Sequence, residues 1–473
     1  MEWNQDTEEL FEKIQEKIPE GFRAYVVPEI KKAAEIRCLD RNGSYINDSD
    51  VITGIFDIIP EAFKSMMVSD LTSLGIDVER YLELKDIKDR LRVSWQKLEK
   101  AFHPGVIHFA MYITDRCQQA CIHCAAADGL SPRPELTTDQ WCKIVENLES
   151  GLRKHGRRGC YIWFGGEPTL REDIDEIMAF CKEKGYYHAI ITNGVEFTED
   201  FAQMCRENDL SHVFVSFDSA NPEKNDKIRG FPNSLEYTKR AIDICLKYGI
   251  FVCSSITVMK HNLDELKELQ ELSENWGAQT FFRPVVKVNR AAKNWDDMGL
   301  DAEGYEKLYR YKYKQAIERI KKGEAGTLPA YEIYEMMPFM ECPLNDKEQS
   351  AIEWGVGCLA CRTMMGIGID GVIFPAGYPT ELTLGNALED KFEDVLDSQL
   401  YKDIRDRKKI TGKCSTCHHL ELCGGGCRVT AEYITGDFFA SFPFCWHEND
   451  HDHSDTETHK GKIKIEVQKR NVK

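Results

Sequence analysis

Short apolar runs alternate with amphipathic segments through the middle of the chain, starting near Val106. Between these runs lie stretches with helical periodicity, such as TTDQWCKIVENLESGLRKHG. A repeated strand–helix unit predicts a parallel sheet, and α/β barrels place their chemistry at the carboxyl ends of such strands. Six strands are fewer than the eight of a complete barrel, so we predict an α/β fold with a partial (β/α)6 barrel. The six runs are GVIHFAMYIT, GCYIWFGG, YHAIITNG, SHVFVSFDS, FVCSSITVMK and TFFRPVV.

The flanking regions differ from this core in composition. Helical periodicity in TEELFEKIQEKI and ERYLELKDIKDRLRVSWQKLEKAF predicts a helical N-terminal domain over residues 1–100. The core is expected to span 101–330, with helices around residues 302–323. Residues 331–450 turn to Gly, Cys and short strands, and residues 451–473 form a charged stretch that we expect to be a mobile tail.

Composition limits the classes of function. A formal net charge of -18 argues against a nucleic-acid partner, which would favour a basic face. No apolar run approaches the roughly 18 residues of a membrane span, so we expect a cytoplasmic protein with no membrane partner. Eighteen cysteines in such a chain indicate metal or cluster ligation, because reducing compartments disfavour a disulfide framework.

Three cysteines follow the first strand in the stretch DRCQQACIHCAAAD. Cys117, Cys121 and Cys124 are spaced as CxxxCxxC. Three thiols are one short of the four that usually close a zinc or iron–sulfur site, so either a fourth ligand lies elsewhere or one position stays open. The motif taken alone leaves a zinc site possible.

Polar and glycine residues mark the ends of the later strands. The glycines of GGEP permit a close approach to a ligand, and Glu167 can accept hydrogen bonds from a cationic amine. The strand-end residues that we select are Gly165, Gly166, Glu167, Pro168, Thr192, Asn193, Ser216, Asp218 and Arg283, together with Arg229 of NDKIRG.

The order and spacing of these pieces resemble those of the radical S-adenosylmethionine (SAM) superfamily. The resemblance implies that the three thiolates hold three irons of a [4Fe–4S] cluster whose fourth iron binds SAM. Reduction by a flavodoxin or ferredoxin would then release a 5′-deoxyadenosyl radical. GGEP would lie at the SAM amino group, Ser216 and Asp218 near the ribose and Arg229 near the carboxylate. His123 replaces the usual aromatic residue and is expected to stack on adenine.

A second cysteine group, CSTCHHLELCGGGC, resembles the SPASM extension of the same superfamily, which carries two auxiliary [4Fe–4S] clusters. The resemblance assigns Cys414, Cys417, Cys423 and Cys445 to a distal cluster, and Cys427 to a proximal one. Ala376 occupies the position of an expected proximal ligand. The proximal cluster would use Cys358 and Cys361 with Cys427, and either Cys342 or a substrate group as its fourth ligand. A zinc ribbon is the competing interpretation.

The other cysteines fall in helix or strand patterns, and we expect them to be buried structural thiols. They are Cys38, Cys142, Cys160, Cys181, Cys205, Cys245 and Cys253.

Three classes of function remain open. The first is modification of a ribosomally made peptide or protein, which the SPASM resemblance favours. The second is maturation of a tetrapyrrole or another small cofactor, because residues 11–56 resemble the small helical domain of a protochlorophyllide reductase subunit. The third, a non-catalytic electron carrier or scaffold, would leave the SAM pocket without a purpose. Gly377 stands where sulfatase-maturing members carry an acidic residue, which argues against that activity.

Overall fold

The computed structural model describes residues 2–3, 5–40, 45–59, 61–78, 81, 105–126, 133–321, 358–417 and 420–446. Cys342 and the predicted tail over residues 451–473 lie outside the described residues, as does the predicted helix ERYLELKDIKDRLRVSWQKLEKAF except for Tyr81.

The N-terminal segment is helical, as its periodicity predicts. Its helices share a hydrophobic cluster of their own, in which Ile14, Ile52 and Cys38 are almost fully buried. An Asn47–Asp50 capping box starts the third helix, with the Asn47 side chain accepting from the backbone N–H of Asp50. The elements are β1 (Glu2–Trp3), α1 (Gln5–Lys17), α2 (Glu20–Asp40), β2 (Tyr45–Ile46), α3 (Asp48–Ile58) and α4 (Glu61–Ser73).

The central sheet confirms the predicted α/β fold. Its six core strands run parallel and lie in chain order. They are β3 (Val106–Thr114), β4 (Arg158–Gly165), β5 (Tyr187–Thr192), β6 (Val213–Ser216), β7 (Val252–Val258) and β8 (Gln279–Pro284).

Helices connect these strands and cover one face of the sheet. Those between strands are α5 (Thr138–Lys154), α6 (Ile174–Lys184), α7 (Glu199–Glu207), α8 (Pro222–Arg229), α9 (Ser234–Lys247) and α10 (Leu266–Asn275). After β8 come α11 (Asn289–Lys293), α12 (Trp295–Met298) and α13 (Ala302–Lys321).

The C-terminal segment extends the sheet, which the sequence did not predict. Strand β9 (Met364–Ile367) pairs parallel with β3, and β10 (Ile373–Phe374) pairs antiparallel with β9. The remaining helices are α14 (Phe392–Asp397), α15 (Gln399–Arg405), α16 (Leu420–Cys423) and α17 (Arg428–Thr435).

Alternate residues of β3 serve different faces of the sheet. Phe109 and Met111 join the cluster that includes Trp141 of α5, whereas Ala110 and Tyr112 belong to a separate cluster on the other face. This period of two is the geometry of a strand buried on both sides. Truncating Phe109 to alanine would cost about 3–5 kcal/mol, the usual penalty for a buried aromatic ring.

The C-terminal segment docks on α5 through specific contacts. The side-chain amide of Asn147 donates to the carbonyls of Ala387 and Asp390 at 2.8 Å, and its oxygen accepts from the N–H of Phe392 at 3.0 Å. A Cβ at Gly151 would lie 2.8 Å from the backbone nitrogen of Glu393, so a glycine is needed where α14 crosses α5. The cysteine-rich segment is therefore fixed against the sheet.

Six of the seven predicted structural thiols are buried, but the prediction is wrong for Cys142, which is only half-buried. Cys142 follows the fully buried Trp141 on α5, and successive residues of a helix point about 100° apart. Cys142 is therefore turned away from the core.

Of the described helices, none combines the length and the apolar character needed to cross a membrane.

Candidate active site

The three cysteines of CxxxCxxC lie on one loop beyond the carboxyl end of β3, as predicted. The loop is held by α8, because the N–H groups of Ala120 and Ile122 donate to the carbonyls of Arg229 and Ile228 at 3.1 and 3.0 Å. Gly230 ends α8 in the left-handed conformation, and a Cβ there would lie 2.7 Å from the Ala120 carbonyl oxygen. Only glycine fits this crossing without strain.

The thiols on this loop interact with one another. Burial raises the pKa of Cys117 to about 11 and that of Cys121 to about 12, and the neighbouring thiols add to both shifts. Cys124 acts on both groups, so the three sulfurs share one electrostatic environment. Free thiols at Cys117 and Cys121 would be protonated at neutral pH, and cationic iron would favour their thiolate forms.

A second set of contacts holds the loop from the segment that follows β8. Three side chains that follow β8 donate to carbonyl oxygens of the cysteine loop, and sequence reasoning did not select any of them. The pairs are Asn289 Nδ2 with Ala125 at 2.6 Å, Arg290 Nη1 with Cys121 at 3.1 Å, and Asn294 Nδ2 with Ile122 at 2.8 Å. The available signal was the polar run NRAAKN directly after a predicted strand end.

The glycines of GGEP are required by the backbone itself. Gly165 has φ +135, and a Cβ there would lie 2.3 Å from the carbonyl oxygen of Thr114. A Cβ at Gly166 would lie 2.2 Å from the carbonyl oxygen of Arg116. Gly165 and Gly166 therefore allow the end of β4 to pack against the backbone at the start of the cysteine loop. The sequence alone predicts only that these glycines allow a ligand to approach closely. Pro168 is buried and opens a short 3-10 turn.

Glu167 joins the ends of β4 and β5. Its Oε1 accepts from Thr192 Oγ1 at 2.7 Å and from the backbone and side chain of Thr169, while Oε2 accepts from the N–H of Asn193 at 2.7 Å. Burial raises the pKa of Glu167, and these donors offset part of that rise. Oε2 carries one described donor, so it retains capacity for another donor, such as an amine.

Asp218 and Arg229 form a buried ion pair beneath the loop. Arg229 Nη1 donates to Asp218 Oδ2 at 3.0 Å, and Arg229 Nε donates to Gln119 Oε1 at 2.9 Å. Burial lowers the pKa of Arg229, but the thiol of Cys121 and the carboxylate of Asp218 raise it overall. His123 Nε2 lies 3.5 Å from Asp218 Oδ2. Three of the predicted site residues, His123, Asp218 and Arg229, therefore lie next to one another.

The remaining predicted residues lie at the neighbouring strand ends. Asn193 Nδ2 is 3.8 Å from Cys117 Sγ and donates to Gln118 Oε1 at 3.3 Å. Ser216 is half-buried at the end of β6, where its carbonyl accepts from Thr238. Arg283 is the second-last residue of β8, and its Cζ lies 4.4 Å from the ring centroid of Phe281.

The residues around the loop fit an iron–sulfur cluster with bound SAM. Three thiols share one loop, while Gln119 Nε2 and His123 Nδ1 are buried without a partner among the described residues. Among all the described residues, no group of three or more His, Cys, Asp or Glu side chains is arranged to hold a single metal ion. Cys117, Cys121 and Cys124 would hold the cluster. When bound, it would supply the electron that cleaves SAM to methionine and a 5′-deoxyadenosyl radical.

The C-terminal cysteines fall into two neighbouring groups. Burial raises the pKa of Cys427 and of Cys361, and Cys358 adds to both shifts. Burial likewise raises the pKa of Cys423 to about 11, with further contributions from Cys445 and Cys414.

The first group contains residues predicted for the proximal cluster, and the second contains residues predicted for the distal one. Cys417 belongs with the second group, since its N–H donates to the Cys414 carbonyl at 3.2 Å. The groups touch where the N–H of Cys358 donates to the Cys423 carbonyl at 2.9 Å. The ligand roles stay predictions.

Comparison with known proteins identifies both parts of the chain. The family model described as the radical SAM superfamily matches residues 111–273, and the SPASM model, described as an iron–sulfur cluster-binding domain, matches residues 358–418. The AdoMet-dependent heme synthase of Methanosarcina barkeri is 29% identical over 71% of this chain and 95% of its own. The mycofactocin maturase of Mycolicibacterium smegmatis is 28% identical over 68% of this chain and 78% of its own.

Solved structures share the fold. Streptococcus suis SuiB bound to S-adenosylmethionine superposes with a TM-score of 0.53, at 19% identity, over 85% of this chain and 93% of its own. Native anSMEcpe with bound AdoMet and a peptide gives a TM-score of 0.53 at 18% identity over 72% of this chain and 94% of its own. The conclusion from the matched domains, the relatives and the fold is that this chain is a radical SAM enzyme with an iron–sulfur SPASM domain.

Proposed function

We propose that this enzyme takes a hydrogen atom from a carboxylate-bearing tetrapyrrole bound on the face of the sheet that carries Tyr112. The observation that carries the proposal is a guanidinium near the end of β8 that lies close to two aromatic rings of the sheet. Arg283 Cζ lies 4.4 Å from the ring centroid of Phe281 and 5.9 Å from that of Phe214. A half-buried guanidinium with an aromatic surround suits a planar, carboxylate-bearing ligand.

Tyr112 connects this region to the cysteine loop. Its side chain is buried, and its O–H donates to the carbonyl of Gly377 at 3.0 Å. Burial raises the pKa of Tyr112, with contributions from Tyr378, Cys124 and Tyr433, whereas Arg283 lowers it. A substrate between Arg283 and Cys124 would therefore lie close to the SAM cysteines and to the C-terminal segment. The aromatic residues of this region are Tyr112, Phe164, Phe214, Phe281, Tyr378 and Tyr433.

Two comparisons support a tetrapyrrole as the substrate class. Relatives named AdoMet-dependent heme synthase and Fe-coproporphyrin III synthase are 29% and 27% identical to this chain. Both names refer to iron porphyrins, which are flat aromatic macrocycles with carboxylate side chains. The helical N-terminal segment, with its distant resemblance to a protochlorophyllide reductase domain, is in keeping with this class.

A peptide is the second candidate, and it is the substrate class that the sequence alone favours. It is favoured by the mycofactocin maturase relatives at 28% identity. A peptide with a carboxylate near an aromatic side chain would satisfy the same guanidinium and the same rings. The two candidates share the site and differ in what the N-terminal segment would recognise.

The chain's own residues have distinct roles in this proposal. Cys117, Cys121 and Cys124 bind the iron–sulfur cluster, and the free Oε2 capacity of Glu167 receives the SAM amine. The predicted contacts of Ser216 and Asp218 with the ribose, and of Arg229 with the SAM carboxylate, remain part of the proposal. Arg229 and Asp218 also fix the loop from below. One electron from a flavodoxin or ferredoxin and one SAM would give methionine, 5′-deoxyadenosine and a substrate that has lost one hydrogen atom.

The test uses anaerobically reconstituted enzyme with SAM, dithionite and either iron-coproporphyrin III or a mycofactocin-type precursor peptide. We expect the porphyrin to stimulate 5′-deoxyadenosine formation and to change in mass. Porphyrin binding, followed by its absorbance without SAM, gives a readout that does not depend on turnover. Stimulation by the peptide alone would replace the tetrapyrrole with the second candidate.

The matched variants are Arg283→Gln and Arg240→Gln. Arg240 also lies over a ring, at 4.9 Å from the centroid of Tyr237, but it is exposed on α9. We expect Arg283→Gln to weaken porphyrin binding at least tenfold and Arg240→Gln to leave it unchanged. Equal binding by both variants would contradict the assignment of Arg283 to the substrate carboxylate.

A further inference from the structure

Arg407 occupies an unusual position between the two cysteine groups of the C-terminal segment. It follows α15, and its backbone adopts φ +59, a conformation that costs a non-glycine residue on the order of 1 kcal/mol. Its side chain is buried, and Nη2 donates to the carbonyl oxygen of Cys358 at 3.3 Å. The strained turn thus directs a long cationic side chain inward, where such groups are rarely found unless they are paired.

The glycine run GGG leaves space for this guanidinium. A Cβ at Gly424 would lie 2.7 Å from Arg407 Nε and 2.8 Å from its Cζ and Nη2. Gly424 directly follows Cys423, and its own φ of +72 also favours glycine. The guanidinium therefore packs against the backbone next to one cysteine group while it donates to the backbone of the other.

The electrostatic surroundings of Arg407 include both groups. Burial and the nearby guanidinium of Arg362 lower the pKa of Arg407 to about 10, although the thiols of Cys358 and Cys423 favour its charged form. Arg428, which also faces this region, is another cation that lowers the pKa. Arg407 still carries its positive charge at neutral pH, and it lies within reach of a cysteine from each group.

We propose that Arg407 is a positioning residue shared by both auxiliary cysteine groups, and that its charge keeps the reduction potentials of both clusters high together. The physical reason is that reduction adds negative charge to a thiolate-ligated cluster, and a buried cation stabilises the reduced form. Net charge and hydrogen bonding near a cluster are among the factors that set its potential. This inference concerns electron transfer within the C-terminal segment and does not depend on the identity of the substrate.

The test is a redox titration of the auxiliary clusters by electron paramagnetic resonance. It uses the full chain in which Cys117, Cys121 and Cys124 are replaced by alanine, so that the signals of the SAM cluster are removed. In this background we compare Arg407→Gln and Arg407→Lys. We expect Arg407→Gln to lower both midpoint potentials by at least about 59 mV, which corresponds to a tenfold change in the one-electron equilibrium constant. Arg407→Lys keeps the charge and should retain most of both potentials.

Lys408→Gln is the matched control, because Lys408 is the adjacent cation and its side chain is 67% exposed. Its removal should leave both potentials unchanged. Unchanged potentials in Arg407→Gln, or a shift in only one cluster, would overturn the proposal. If Arg407→Gln loses iron, Arg407→Lys decides between the two roles. Retained iron with native potentials in Arg407→Lys supports the proposed role of the positive charge. Iron loss in both variants would show that Arg407 only packs against the segment, and it would overturn the proposal.

Discussion

Arg229 donates to the carboxylate of Asp218 at 3.0 Å, and the two side chains are 8% and 0% exposed. The same guanidinium reaches Gln119 in the cysteine loop, so the ion pair links α8, the end of β6 and the candidate cluster site. A buried pair of this kind has little tolerance for the loss of one partner, since the other charge is then left without compensation.

Arg229→Met should therefore lower the free energy of unfolding by about 3–5 kcal/mol, measured by urea denaturation of the iron-free protein. Lys239→Met is the control, because Lys239 pairs with Asp243 on the exposed face of α9 and such i,i+4 pairs contribute about 0.3–0.5 kcal/mol. A loss below 1 kcal/mol for Arg229→Met would contradict the structural role of the pair.

Gly166→Ala should disrupt the start of the cysteine loop. The new Cβ would lie 2.2 Å from the carbonyl oxygen of Arg116, so the backbone has to move. We expect reconstituted protein to lose SAM-dependent deoxyadenosine formation at least a hundredfold. In Gly21→Ala, by contrast, the added Cβ meets nothing within 4 Å. This control should retain full activity, and retained activity in Gly166→Ala would show that the crossing adapts.

Ala376→Cys tests the missing proximal ligand. The N–H of Cys361 donates to the carbonyl of Pro375 at 2.8 Å, which places residue 376 next to a predicted ligand. We expect the added thiol to change the electron paramagnetic resonance spectrum of one auxiliary cluster. Ala387→Cys, a buried alanine elsewhere in the segment, should not do so. An unchanged spectrum in Ala376→Cys would instead favour Cys342 as the fourth ligand.

His212 predicts a pH dependence of stability. Burial lowers the pKa of His212 to about 3, with contributions from His108 and His188. Since an unfolded histidine titrates near pH 6.5, the unfolded state binds more protons between these two values. The contribution of neutral His212 to the free energy of unfolding is therefore fully present above pH 6.5. It decreases as the pH falls, and the loss reaches about 3 kcal/mol at pH 4.

The measurement is urea denaturation from pH 7 to pH 4 of the native chain and of His212→Phe. The variant should show a flatter dependence, while His155→Gln, which replaces a partly exposed histidine, should follow the native curve. Parallel curves for the native chain and His212→Phe would show that other groups carry the acid sensitivity.

Local patterns predicted most of the core. The six strands and the helices between them were confirmed because each carries its own periodicity within a short window. The pairing of β9 with β3 had no such signal, since a four-residue strand, MMGI, meets a partner more than 200 residues earlier. Pairing over that distance depends on the docking of the whole segment, which single-strand patterns do not encode.

The sequence predicted individual residues of the site but not the hydrogen bonds that hold the site together. The spacing of Cys117, Cys121 and Cys124 selected the loop, and the strand ends selected Glu167 and Asp218. Sequence reasoning missed Asn289, Arg290 and Asn294 because asparagine and arginine after a strand are ordinary in a turn. Their function is visible only when their amide and guanidinium groups meet the loop carbonyls in space.

The most direct test is anaerobic reconstitution of the native chain and of a variant with Cys117, Cys121 and Cys124 replaced by alanine. Iron and sulfide are counted, and 5′-deoxyadenosine is measured after addition of SAM and dithionite. We predict about twelve irons in the native chain, four for each of three clusters, and about eight in the variant, with deoxyadenosine formed only by the native chain. Bound zinc without deoxyadenosine in the native chain, or loss of all iron in the variant, would contradict the account.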